Sequence, residues 1–132
     1  MRTISQTASK TLNKLTDNLG DSDYRKLGKD GGTFMPVIVE LLECFPNGST
    51  LYSVAHYYKQ NGDLCPDPEM EFLKTADGKW YTVSITQPFG VYRRAANLNW
   101  NGDIGSYYPR AMREMCSFTT TWMKNIKWQQ DL

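Results

Sequence analysis

At Leu51 the hydrophobic rhythm of this chain changes from helical spacing to strict alternation, and turn signals punctuate everything that follows. Asn61-Gly62, Asp77-Gly78 and Pro88-Phe89-Gly90 place residues that accept positive φ, or fix a bend, between runs rich in Val, Tyr, Thr and Ile. The pattern predicts an antiparallel four-stranded β-meander within residues 50–98, with strands near 51–60, 69–75, 80–87 and 91–98. Pro66 and Pro68 cannot donate ladder bonds and are assigned to the first connection.

The flanks read differently. Ile4, Ala8, Leu12, Leu15 and Leu19 recur at helical spacing, with Gly20 suited to end a helix over 4–19; the glycine-rich polar segment Asp21–Gly32 reads as a surface loop. Phe34, Val37, Ile38, Leu41, Leu42 and Phe45 fit a second helix over 33–46, although Val37-Ile38-Val39 equally suits a buried strand. Asn99–Tyr108 reads as a long loop. Pro109 then suits the first position of a last helix over 109–128, with Ala111, Met115, Phe118, Trp122 and Ile126 as its buried stripe. The fold class expected is α+β, one domain over 1–132, with the N-terminal and C-terminal helices on one sheet face and the other face open to a partner.

With 15 basic and 14 acidic side chains the net charge is +1, so no global field draws the chain to nucleic acid or an anionic membrane. Cys44, Cys65 and Cys116 are odd in number and lack a C-x-x-C pair, which argues for free thiols in a reducing compartment. No apolar signal region follows Arg2 and no stretch has the length of a membrane span, so a cytoplasmic protein is expected. P-loop, dinucleotide and nucleophile-elbow motifs are missing, and no cofactor is expected.

Chemistry concentrates in His56–Phe72, where the lone histidine and four carboxylates surround one predicted hairpin. His56 with Asp63, Asp67 and Glu69 has the donor types of an acid/base pair or a nitrogen-and-oxygen metal site. Against this stand the single nitrogen ligand and the routine use of Asp in turns, so no metal site is assigned and His56 reads as a hydrogen-bonded strand residue. A nuclease reading of Asp67, Glu71 and Lys74 fails because alternation sends Glu71 and Lys74 to opposite faces. As a binding surface, the candidates are Tyr58, Asn61, Asp63, Asp67, Glu69, Arg93 and Arg94. Aromatic residues interleaved with Arg93, Arg94 and Arg110 also suit stacking on nucleic acid.

His56-Tyr57-Tyr58, Gln60-Asn61-Gly62-Asp63-Leu64 and Asp67-Pro68-Glu69-Met70-Glu71-Phe72, preceded by Phe34-Met35-Pro36-Val37-Ile38-Val39-Glu40, resemble an uncharacterised family carried by phages, plasmids and conjugative elements of gut bacteria. The resemblance spans roughly 34–98. It implies a setting and not a mechanism: an accessory or counter-defence protein that binds a host or element protein without catalysis. The alternatives are a small enzyme centred on His56 and the hairpin carboxylates, or a nucleic-acid-binding module.

Overall fold

The computed structural model describes residues 1–19 and 22–132; the predicted helix stop at Gly20 lies outside them. Two helices and an antiparallel sheet make an α+β fold, and the main sheet has six strands where four were expected. In chain order the elements are α1 (Gln6–Thr16), β1 (Tyr24–Leu27), β2 (Val37–Cys44), β3 (Thr50–Gln60), β4 (Asp63–Lys74), β5 (Trp80–Gln87), β6 (Val91–Arg94), β7 (Ala96–Leu98), β8 (Ile104–Tyr107) and α2 (Pro109–Gln129). Strands β1 to β6 form a continuous meander, each paired with its neighbour in sequence, and β7–β8 form a separate hairpin. No helix is long and apolar enough to cross a membrane among the described residues.

Five expectations are corrected here. The second helix over 33–46 is strand β2, which pairs Ile38 with Ala55 and Val39 with Val54. Its apolar run satisfies both periods, and the ladders it forms with β1 and β3, with Val37 and Val39 buried on one face, decide for the strand. The loop 21–32 contains β1, and Asn99–Tyr108 contains β8. The expected strand 91–98 is divided between the two sheets, with the buried Ala95 at the change. Pro66 and Pro68 lie inside β4 rather than before it. There β4 pairs only with β3, because β5 ends its contact at the Glu69–Thr86 pair, so the outer edge requires no ladder donors.

Why the sheet has a helical side follows from register. Val39, Val54, Met70 and Ile85 stand opposite one another across four strands, and all belong to the main core with Leu12 and Leu15 of α1 and Met112, Met115, Met123 and Ile126 of α2. Such a row gains from every cross-strand contact. Ser5 caps α1, its hydroxyl accepting from Ala8 N at 3.3 Å, a contact worth about 1 kcal/mol. At the other end Arg25 of β1 donates to the carbonyls of Lys14 and Leu15 at 2.7 and 3.3 Å, where a cation complements the helix dipole. On α2, Pro109 opens the helix as expected, but the stripe is broader than the five residues anticipated. Met112, Cys116, Thr119 and Met123 are buried with it, whereas Phe118 is exposed.

The opposite face is not simply open. Ala55, Leu73 and Val83 are buried yet stand apart from the main core. The β7–β8 hairpin and its 99–103 turn come against the β2–β3 connection: Asn47 N donates to Asn101 O at 3.0 Å and Asn47 Nδ2 to Asp103 Oδ1 at 3.0 Å. Gly102 sits at this meeting with φ +100°, and a Cβ there would lie 2.5 Å from the Phe45 Cβ. Gly102→Ala should therefore cost roughly 2–4 kcal/mol, combining left-handed strain with overpacking. Gly62, whose φ is +85° in open space, should cost only about 1–2 kcal/mol on the same change, from strain alone. Urea melts of the two variants decide it; equal midpoints would mean that the hairpin does not dock tightly.

Candidate functional site

Between the β1–β2 connection and the tip of the β3–β4 hairpin lies a cleft of about 770 Å³. Alternation builds its walls. Tyr24 and Lys26 project from β1, Ile38 from β2 and Tyr57 and Lys59 from β3, while Asp30–Pro36 closes one side and Tyr58 and Leu64 the other. Asn61 and Gly62 turn the hairpin with φ of +53° and +85°, the conformation that the Asn-Gly signal predicts. Leu64 is 64% exposed at the rim, and Tyr24 and Met35 are also exposed. Lys26 pairs with Asp30 at 3.0 Å, leaving the interior largely aromatic and aliphatic.

The candidate carboxylates do not converge on one point. Residues that pair across strands share a face, so Glu69, opposite Ala55, lies on the side away from the helices, whereas His56 faces α2. Glu69 Oε2 accepts a hydrogen bond from Tyr57 OH at 3.1 Å, and Glu71 accepts from Ser84 Oγ at 2.5 Å. Asp63 begins β4 at the exposed hairpin tip beside Asn61. Asp67 and Pro68 form a bulge: Ala55 pairs with Glu69 and Tyr57 with Pro66, which leaves the two residues opposite His56 alone. That bulge brings Asp67 to the rim of a second cavity, of about 400 Å³, which His56 also lines. Among the described residues no three His, Cys, Asp or Glu side chains come together to hold a metal ion.

His56 is 6% exposed, its ring edge-on to Trp122 at 5.6 Å, and its Nδ1 donates to Pro36 O at 3.0 Å. Arg93 and Arg94 are at the far edge of the sheet. Arg93 and Arg110 both bind Glu114, at 2.6 and 3.1 Å, and hold its carboxyl below the usual range, Arg93 more strongly. Arg94 donates to Ala96 O at 3.2 Å and lies 5.9 Å from the Tyr92 ring. Thus Tyr58 borders the large cleft and Asp67 the smaller one, with Asn61 and Asp63 at the hairpin tip, whereas Glu69, Arg93 and Arg94 serve other contacts. Sequence reasoning missed Tyr24, Lys26, Phe34, Met35 and Leu64. The first two were read as loop, and the connection that carries Phe34 and Met35 was read as helix.

Burial raises the Tyr57 hydroxyl far above its ordinary pKa of 10.0, and the Glu69 charge and hydrogen bond add to the effect. Folding therefore favours the neutral phenol. Its contribution is present below pH 10 and lost as pH rises above it. Tyr57→Phe should cost about 1 kcal/mol at neutral pH and make the loss of stability above pH 10 shallower. Denaturant midpoints across the alkaline range measure this; parallel declines in both proteins would show that the pair does not couple to folding.

No curated protein matches the chain, and no solved structure does. A family model described as a domain of unknown function, DUF6908, matches residues 6–132, and the chain belongs to that family.

Proposed function

We propose that this chain is a non-catalytic binding protein, an accessory or counter-defence protein of a mobile element, which holds a segment of a host or element protein in the 770 Å³ cleft. The observation that carries the reading is the cleft's wall, with Tyr24, Tyr57, Tyr58, Ile38, Met35 and Leu64 around one concavity and an ion pair at its border. Aromatic and aliphatic anchors in a concave site are what binding surfaces use, since each buries a large area at low entropic cost. The hairpin residues that carry the resemblance form one rim, and the Phe34–Pro36 segment forms the other. The dispersal of His56, Asp63 and Glu69 over different faces and contacts further supports binding over acid/base chemistry, which needs converging groups.

The test is recovery of a specific partner from the element's own host by tagged wild type and by Leu64→Asp and Tyr58→Ala. Both changes alter exposed or half-exposed cleft residues and should leave the thermal midpoint nearly unchanged. Recovery should fall at least tenfold in Leu64→Asp and by a comparable factor in Tyr58→Ala. Undiminished recovery by both variants would remove the cleft from the account.

A further inference from the structure

The start of α2 borders another cavity, of about 460 Å³, walled by Arg2, Thr3, Tyr107, Pro109, Met112 and Arg113. Local structure places each wall. Ile4 is buried and its N–H donates to Trp80 O at 2.9 Å, which ties down the chain just before α1. Cys116 Sγ, on α2, lies 3.8 Å from Arg2 O, so Arg2 and Thr3 run beside the first turns of that helix. On the helix itself Pro109 and Arg113 stand four residues apart and share a face. Tyr107 ends β8, two residues before the helix begins.

The charged groups in this wall are all of one sign. Arginine stays protonated and its guanidinium only donates, so the charge of the wall depends on no tautomer or titration. Neither Arg2 nor Arg113 has a carboxylate partner among the described residues. Glu114, next to Arg113 in the chain, is held by Arg93 and Arg110 at 2.6 and 3.1 Å. The first turn of α2 contains no acidic side chain, and Tyr108 at the N-cap makes no side-chain capping bond. The positive end of the helix dipole therefore adds to a field that the two guanidiniums set.

Such a wall selects an oxyanion. Two guanidiniums, with the hydroxyls of Thr3 and Tyr107, offer more donors than a carboxylate has oxygens to fill, and a phosphate group matches them better. Tyr107, 41% exposed, adds an aromatic ring to the same wall, a surface on which any base can stack. The volume falls within the roughly 300–1,000 Å³ of small-molecule sites. We infer that this cavity receives the phosphate group of a nucleotide, with the phosphate between Arg2 and Arg113 and the base against Tyr107. The site is separate from the cleft and does not rest on the function proposed for it.

The experiment titrates the full chain calorimetrically with thymidine monophosphate, thymidine, inorganic phosphate and a phosphoserine peptide. Thymidine monophosphate should saturate in about the millimolar range, with thymidine and inorganic phosphate each roughly tenfold weaker. Arg2→Gln and Arg113→Gln alter exposed side chains, so each should keep the thermal midpoint while weakening the nucleotide about tenfold. Leu64→Asp, in the cleft, should leave it unchanged, and added salt should weaken it. A short oligothymidylate distinguishes the two sources of the group: tighter binding than the mononucleotide assigns it to a single strand, equal binding to a free nucleotide, and both keep the phosphate in this cavity. Thymidine binding as tightly as its monophosphate would overturn the inference, as would a phosphoserine peptide that matches the nucleotide, full binding by both arginine variants, or no saturation by either nucleotide probe. The comparison of thymidine with its monophosphate needs no variant to fold.

Discussion

A six-stranded meander has two faces, and two helices of 11 and 21 residues suffice to cover only one of them. The row of Val39, Val54, Met70 and Ile85 fixes which face that is, because shifting any strand by one residue would turn its apolar set to the other side. Everything else in the molecule follows from how the remaining face is handled. The β7–β8 hairpin folds back across part of it and shelters Leu73 and Val83, held by Asn47 and the close approach at Gly102. The other end, over β1 to β3, keeps no such cover. The cleft between Tyr24, Tyr57 and Leu64 is what that unequal arrangement leaves.

The bulge at Asp67-Pro68 shapes the smaller of the two cavities beside Phe34. It interrupts the β3–β4 ladder opposite His56, and it turns a carboxylate toward the side where α2 supplies Trp122 and Asn125. A regular strand would have alternated Asp67 away from that side or paired it in the ladder. Pro36, at the entry to β2, holds the imidazole from the other direction through its carbonyl. One irregularity in one strand therefore brings a carboxylate of the hairpin to the small cavity. The family match over residues 6–132 covers all of these elements.

Much of this was legible in the residues, for reasons that are local. The glycines and asparagine of the turns take positive φ where Asn61-Gly62 and Asp77-Gly78 required it, and Ala8, Leu12 and Leu15 mark α1, which is shorter at both ends than the 4–19 span expected, through a period that nothing nearby contradicts. What was not legible depends on partners distant in sequence. Val37–Leu42 fits either period, and only pairing with β1 and β3 makes it a strand. Tyr24–Leu27 reads as polar loop because Arg25 finds its role against the end of α1. The gathering of His56 and four carboxylates around one hairpin was legible in the sequence. Its division of labour was not, since Glu69 turns to Tyr57, and Asp67 reaches the His56 cavity only through the bulge.

The central claim is that recognition occurs at the end of the sheet between the 30–36 segment and the β3–β4 hairpin. Photo-crosslinking in the native host tests it directly, with a photoreactive residue placed in turn at Leu64 on the cleft rim and at Phe89, which is 91% exposed on the far turn. Both sites tolerate substitution without loss of core. The account predicts a discrete protein adduct from position 64 and none from position 89. An adduct from position 89 alone would place the contact on the wrong end of the sheet and contradict it.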